Sequence, residues 1–275
     1  MIIAGKRALV LGATRGIGRA VARNLASQGV RLILPWLDWP ESVAELREEF
    51  GGGRDGHLLV RTDLRLASEV AELMAVIDER FGRLEIVVNN IERGGMPVLH
   101  GGYGREVNRD QWRLEMETTL HAKWLVFDQA LPLLRRSEAA AVVNISSIAG
   151  MVGRSGPAGF LFNDGYAAAN RGVSSLTETW ARIGAPTIRV NELMLGLIDS
   201  RHGPGTRGWD LLSEEQRRDL LHHTLLRRTG TPEEVARAVL FLIRDADFLT
   251  GSVLRLDGGY MVGGEAPAVM PDGSL

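Results

Sequence analysis

The sequence predicts an α/β protein built on a doubly wound parallel sheet. Three observations lead there. Short apolar runs of strand length alternate with helical patterns along most of the chain. A glycine-rich turn, Gly12-Ala13-Thr14-Arg15-Gly16-Ile17-Gly18, follows the first run and opens the first helix. No repeat, low-complexity tract or linker breaks the series, so one domain over 1–275 is expected. Alternation of this kind puts helices on both faces of the sheet, joined by right-handed crossovers.

The elements follow in order. Ala8–Leu11 is a first strand, and Ile17–Ser27 a helix that Gly29 stops. Val30–Leu34 is a second strand, followed by a helix over Ser42–Phe50 and a Gly51-Gly52-Gly53 turn. Leu58–Arg61 is a third strand, and the helix Ala67–Arg80 ends before Gly82. Leu84–Asn89 is a fourth strand. A long helix is expected from about Arg109 to Arg135, then a strand over Ala140–Ile145. A second long helix covers about Gly165–Ile183, and Thr187–Leu193 is a sixth strand. Thr231-Pro232-Glu233-Glu234 has a Thr cap, Pro at the first helical position and an acid at the third, so a helix runs from there to about Ile243. Ser252–Leu256 is the last strand. Two irregular stretches remain. Glu92–Asn108 is glycine-rich and holds Tyr103, and charged Asp199–Thr229, with Gly-Pro-Gly at 203–205, reads as a lid over a substrate cleft. The tail after Val262 is expected to fray.

Composition narrows the function. The chain has 275 residues, 45% hydrophobic and 24% charged, as in ordinary soluble domains. A net charge of −2 gives no basic field for nucleic acid or anionic lipid. There is no cysteine, so disulfides, thiolate chemistry and cysteine-ligated metals are excluded. The six histidines lack metal-ligand spacing, and no metal is expected. No apolar run reaches the roughly 18 residues of a membrane span, and the first residues do not form a signal peptide. A cytoplasmic location is the expectation.

The glycine turn carries the first chemical signal. Glycines let the backbone approach a pyrophosphate, and the helix start offers unpaired N–H groups with a positive dipole end. The spacing is G-x-x-x-G-x-G. Together with Asp63, Asn89-Asn90, Ser147, Tyr166 and Asp257-Gly258-Gly259, it makes the chain resemble the short-chain dehydrogenase/reductase family over roughly residues 5–262. The resemblance implies a single Rossmann domain with about seven parallel strands, NAD(H) or NADP(H), and a homodimer or homotetramer.

The resemblance then assigns roles. Gly12, Thr14, Arg15, Gly16, Ile17 and Gly18 form the phosphate loop. The family's acid for the adenosine ribose falls at Trp36, which could stack on adenine or fill the pocket; the nearest acid is Asp38, two residues on. Without that acid, and with Arg15 where the family often places a base against a 2′-phosphate, NADP(H) is favoured over NAD(H). A solvated surface arginine is the other reading of Arg15. Asp63 matches the adenine contact, or is a helix cap. Asn89 and Asn90 begin the run that the family writes Asn-Asn-Ala-Gly, here Asn89-Asn90-Ile91-Glu92. Glu92 either repels the dinucleotide, turns outward or accepts from ribose hydroxyls. Gly196, Ile198 and Ser200 match the loop that touches the nicotinamide amide, with Ser200 for the family's Thr.

At the reaction centre, Ser147 maps to the serine that holds the substrate carbonyl, and Tyr166 to the proton donor. Asn170 stands where the family has lysine, one helical turn after Tyr166. The lysine holds the nicotinamide ribose and lowers the tyrosine pKa. An asparagine amide can do only the first. Without that charge a phenol titrates near ~10, so reduction, which uses the neutral phenol as acid, is expected to outlast alcohol oxidation, which needs the phenolate. Thr119 stands where the family's helix asparagine supports a proton-leading water chain. Lys123, one turn further, is expected to be a surface or interface lysine, a relocated charge being the alternative. The resulting expectation is an NAD(P)H-dependent reductase of a carbonyl or activated alkene of a small molecule. The alternative is a non-catalytic nucleotide sensor or oligomer subunit. Helices 109–135 and 165–183 would form the homo-oligomer surface, with Trp124, Phe127, Leu176 and Trp180 as candidate anchors, core packing being an equal reading for some of them. Phe160 and Phe162 suggest an apolar-lined cleft.

Overall fold

The structure, a computed structural model, describes residues 1–51, 56–92, 106–200 and 212–264. Tyr103 and its glycine-rich stretch, the Gly-Pro-Gly at 203–205 and the tail beyond 264 lie outside the described residues.

Seven parallel strands form one sheet in the order β3-β2-β1-β4-β5-β6-β7. They are β1 (Arg7–Val10), β2 (Arg31–Trp36), β3 (Leu58–Arg61), β4 (Ile86–Asn89), β5 (Ala140–Ser147), β6 (Ile188–Leu195) and β7 (Val253–Leu256). The helices are α1 (Gly16–Ser27), α2 (Pro40–Phe50), α3 (Ala67–Phe81), α4 (Glu106–Glu115), α5 (Ala122–Leu134), α6 (Ala149–Val152), α7 (Asp164–Gly184), α8 (Glu214–His223) and α9 (Pro232–Arg244). The strand order reverses between β1 and β4, and ligands of doubly wound sheets bind at such switch points, beyond the strands' C-terminal ends.

Alternate residues of each inner strand feed two cores. Ala8, Val10, Leu32 and Ile86 pack with α1 and α9 on one face; Leu9, Ile33, Val87 and Val142 pack with α3, α5 and α7 on the other. A third cluster, with Tyr166, Phe162, Leu161, Leu212, Leu220 and Tyr260, lies at the C-terminal edge and brings α8 over that end.

α6 and α8 were not expected, α8 lying within the stretch read as irregular, and two further elements differ. β2 runs through Pro35 to Trp36. Its pairing with β1 stops at Ile33, and the missing Pro35 N–H would point to that unpaired side, so no ladder bond is lost. The long helix of 109–135 is not uniform. A π-helical turn over Met116–His121 separates α4 from α5, and the Ala122 N–H reaches back to Glu117 O. Thr118 Oγ1 donates to Leu114 O at 2.7 Å, the local competition by which threonines perturb a helical ladder.

The long helices divide their apolar candidates between core and surface. Phe127 and Trp180 are core residues, buried and stacked at 4.2 Å between centroids. Trp124 is exposed and Leu176 half-buried.

Candidate active site

The glycine loop crosses the end of β1 onto α1. Gly12 has φ +66°, and a Cβ there would lie 2.2 Å from the Asn90 carbonyl oxygen. Gly16 has φ +53°, and a Cβ would meet Ser200 Oγ at 2.4 Å. These contacts press the loop against the ends of β4 and β6. At Gly18 a Cβ would lie 2.1 Å from Gly12 O, so its absence lets α1 close on the turn. The N-cap of α1, Arg15, makes no side-chain capping bond, and the first turn holds no acid. That helix end is open to an anion, and the bare-backbone cradle fits a dinucleotide pyrophosphate. Buried Arg19 holds the cradle from behind. It donates to Thr14 O at 2.7 Å and Ser42 O at 2.8 Å, and pairs with Glu49 at 3.1 Å. Sequence reasoning missed it, because a charged residue one turn into a helix looks solvated.

At the outer end of the loop, the Arg15 guanidinium lies 3.8 Å above the Trp39 ring, and that of Arg47 lies 4.8 Å above Trp36. Asp63 is neither α3's N-cap, which is Leu66, nor an unengaged acid. Its carboxylate takes both arms of Arg65, at 2.8 and 2.5 Å. The hydrogen-bonded guanidinium holds the Asp63 carboxyl below the usual range.

A cleft opens beside this cradle, lined by Ile17, Asn90, Glu92, Ile145, Ser146, Ser147, Tyr166, Leu195, Gly196, Ile198 and Ser200. It gathers both ends of the expected reaction centre with the nicotinamide-side loop. Tyr166 is 2% exposed, backed by Phe162 at 5.9 Å between ring centroids. Phe162 is therefore core rather than cleft lining, and Phe160 is 54% exposed. Asn163 caps α7, accepting from the Tyr166 N–H at 2.7 Å, so the cap sets where Tyr166 begins the helix. Ser147 ends β5, and its Oγ accepts from the Ala149 N–H at 3.1 Å.

Other expected residues sit elsewhere. Asn170 is fully buried and does not line the cleft. Its amide donates to Tyr166 O at 2.9 Å, one turn back, and its Oδ1 has no hydrogen-bond partner. The short side chain folds onto its own helix where a lysine stem would extend. Thr119 is fully buried in the π-helical turn and donates to Glu115 Oε2 at 3.1 Å. Asn89 is buried and donates to Asn144 Oδ1 at 2.8 Å, while Asn90 reaches the cleft.

Three charged residues are better explained by the fold than by the sequence. Glu92 turns inward: the Tyr166 hydroxyl donates to Glu92 Oε2 at 3.0 Å. Lys123 is not a surface lysine but 1% exposed, with Nζ donating to Ile145 O at 2.7 Å. Glu192, fully buried in the middle of β6, accepts from the Ser146 hydroxyl. Burial pushes the Glu192 carboxyl up, and the Ser146 bond and the Lys123 charge pull it back down. A lysine at the head of an apolar helix and a glutamate inside an apolar strand were the available signals, since buried charges demand partners.

Among the described residues no group of three His, Cys, Asp or Glu could hold a metal ion, and no helix is long and apolar enough to cross a membrane.

Comparison with known proteins agrees with this geometry. The family described as "Enoyl-(Acyl carrier protein) reductase" matches residues 12–261. "Granaticin polyketide synthase putative ketoacyl reductase 2" of Streptomyces violaceoruber is 36% identical over 255 residues, covering 92% of this chain and 94% of that protein. The 3-oxoacyl-(acyl-carrier-protein) reductase FabG of Thermotoga maritima is 30% identical over 268 residues, covering 95% and 100%. Among solved structures, the ligand-free aldohexose dehydrogenase of Thermoplasma acidophilum superposes with a TM-score of 0.76 at 25% identity, covering 98% of each chain. With its seven-stranded sheet, glycine cradle and Ser147–Tyr166 cleft, the chain belongs to the short-chain dehydrogenase/reductase family and is an NAD(P)-dependent oxidoreductase.

Proposed function

We propose that the chain reduces a carbonyl group, or an activated alkene, of a small molecule, and that it takes NADP(H) in preference to NAD(H). The observation that carries this reading is the single cleft in which Ser147 and Tyr166 face the loop holding Gly196, Ile198 and Ser200, beside the glycine cradle. A reduced nicotinamide bound there supplies the hydride. Ser147 orients the carbonyl oxygen, and Tyr166 donates the proton. The loop residues Gly196, Ile198 and Ser200 face the nicotinamide side, and Asn90 borders the cradle. Two relatives carry ketoacyl and oxoacyl reductase names, so a β-oxoacyl thioester is the first substrate class to screen.

Reduction is the favoured direction on chemical grounds. Asn170, at the position read as the family's lysine, carries no charge, and the Tyr166 hydroxyl donates to the Glu92 carboxyl. Both features suit a tyrosine that starts as an O–H donor. Initial rates in both directions near neutral pH test this, and alcohol oxidation faster than ketone reduction would overturn it.

The NADP(H) preference rests on Arg15 and Arg47, whose guanidinium groups lie over Trp39 and Trp36 at the adenosine end. The Asp63 charge there is already paired with Arg65. Arg15→Ala is expected to weaken NADPH binding by about tenfold or more, the worth of a charge-assisted bond of about 1.5–3 kcal/mol, and to leave NADH within about twofold. Titrations followed by tryptophan fluorescence and calorimetry measure both. Equal loss for the two cofactors would refute the assignment.

The same titration weighs the alternative of a non-catalytic sensor or oligomer subunit. That reading requires nucleotide binding without turnover, or no binding at millimolar levels. The remaining proposals follow from placement. Of the lid read over 199–229, residues 201–211 lie outside the described residues, and α8 packs over Tyr166's cluster through Leu220. Helices 109–135 and 165–183 form the homo-oligomer surface, with Trp124 and Leu176 as its apolar contacts.

A further inference from the structure

We infer that Glu92 is a catalytic residue that reprotonates Tyr166 between turnovers, taking over the proton-conducting duty of the absent lysine. The inference rests on the reductase reading above.

The argument starts from burial. Tyr166 is 2% exposed, so a phenolate formed there has little direct access to solvent. On the inner side the described polar groups bond to the protein itself. The Asn170 amide is spent on Tyr166 O, and Thr119 donates to Glu115. Lys123 is bonded to Ile145 O on β5. On the cleft side, by contrast, Glu92 is half-buried, lines the opening, and has Oε2 3.0 Å from the phenol oxygen. Among the described cleft-lining residues, Glu92 and Tyr166 are the two titratable groups. Glu92 therefore touches both the reacting oxygen and the path to water.

The proton balance closes. The carbonyl carbon gains the hydride and its oxygen gains the Tyr166 proton, giving the alcohol, an oxidised nicotinamide and a phenolate. The Glu92 carboxyl, protonated from solvent, passes its proton to the phenolate and returns to carboxylate. One NAD(P)H and one solvent proton are consumed per alcohol. A carboxylic acid is ordinarily stronger than a phenol by about six pKa units, so the transfer runs downhill in this direction. The reverse, alcohol oxidation, would end on a weak base.

Stopped-flow measurement of NADPH oxidation with acetoacetyl-N-acetylcysteamine, a β-oxoacyl thioester, tests this in the full chain. The first turnover uses the proton already on Tyr166, and only later turnovers need Glu92. Glu92→Gln should therefore show a burst of about one NADPH per subunit, then a steady rate lowered by about 100-fold, a typical proton-transfer effect. Wild type should show no burst. NADPH affinity, read separately by tryptophan fluorescence, should stay within about twofold. Formate should raise the steady rate of Glu92→Ala, while chloride at equal ionic strength should not. A Glu92→Gln steady rate equal to or above wild type overturns the inference, because the carboxyl then only covers the tyrosine. A first turnover slowed as much as the later ones also overturns it, since the role is then structural. Wild type that binds NADPH and reduces no carbonyl defeats the reductase reading itself, and the relay with it.

Discussion

Replacing Lys123 with Met is expected to destabilise the fold by about 3–5 kcal/mol, read as a lower urea midpoint with an unchanged slope. The reason is the environment of its charge. Lys123 is 1% exposed, and its Nζ donates to Ile145 O. Its charge also acts on the Glu192 carboxyl, which is fully buried and bonded to Ser146. Methionine fills similar space but leaves the Ile145 carbonyl short of a donor and removes a positive charge that, with Arg171, acts on Glu192. Glu192→Gln alone should cost less, because the amide keeps the Ser146 contact and replaces a carboxylate that burial already disfavours. The double variant should lose less than the sum of the two, with a coupling of about 0.5–3 kcal/mol. Strict additivity would mean that the two charges do not support one another.

The same pair predicts a pH dependence of stability. Burial raises the Glu192 carboxyl in the folded chain above its value in the unfolded one. The folded state therefore binds the proton more tightly. Its contribution is fully present below the unfolded carboxylate value, about 4.3, and is lost as pH rises through the raised folded value. Glu192→Gln should flatten that slope, as denaturant titrations across the window will show.

Tyr166→Phe is expected to lower kcat/KM for ketone reduction by about 10²–10⁴-fold, the worth of a positioned acid. The ring is held by packing: it is buried, stacked near Phe162 and fixed at the start of α7 by the Asn163 cap. Phenylalanine keeps those contacts and loses only the hydroxyl, so folding and NADPH affinity should be close to wild type. Reduction that survives in full would place the proton donor elsewhere.

Much of this molecule was readable before any coordinates. The strand–turn–helix at Gly12–Gly18, the helix start at Thr231-Pro232 and the apolar strand runs are local signals. Turn chemistry, capping and periodicity act over a few residues, so their outcome is written where they occur. The spacing of Ser147 and Tyr166 was equally legible, because the end of β5 and the first turn of α7 are ordered by topology. The π-helical turn at Met116–His121 was not, since a shift of helical register leaves no periodic gap to count.

Tertiary structure alone decided how the charges and amides are partnered. Glu92 could have faced outward, and the fold turns it onto Tyr166. Lys123 had the look of a surface lysine until β5 placed the Ile145 carbonyl in front of it. Asp63 was read as an adenine contact or a cap; it is not the cap, and Arg65 pairs with it. Asn170 was read as standing in for the family's lysine, and its short amide bonds its own helix and does not line the cleft. Each outcome depends on which polar group lies within about 3 Å once distant segments are packed, and on the penalty for leaving that group unpaired out of water. Neither quantity exists for a chain read one residue after another.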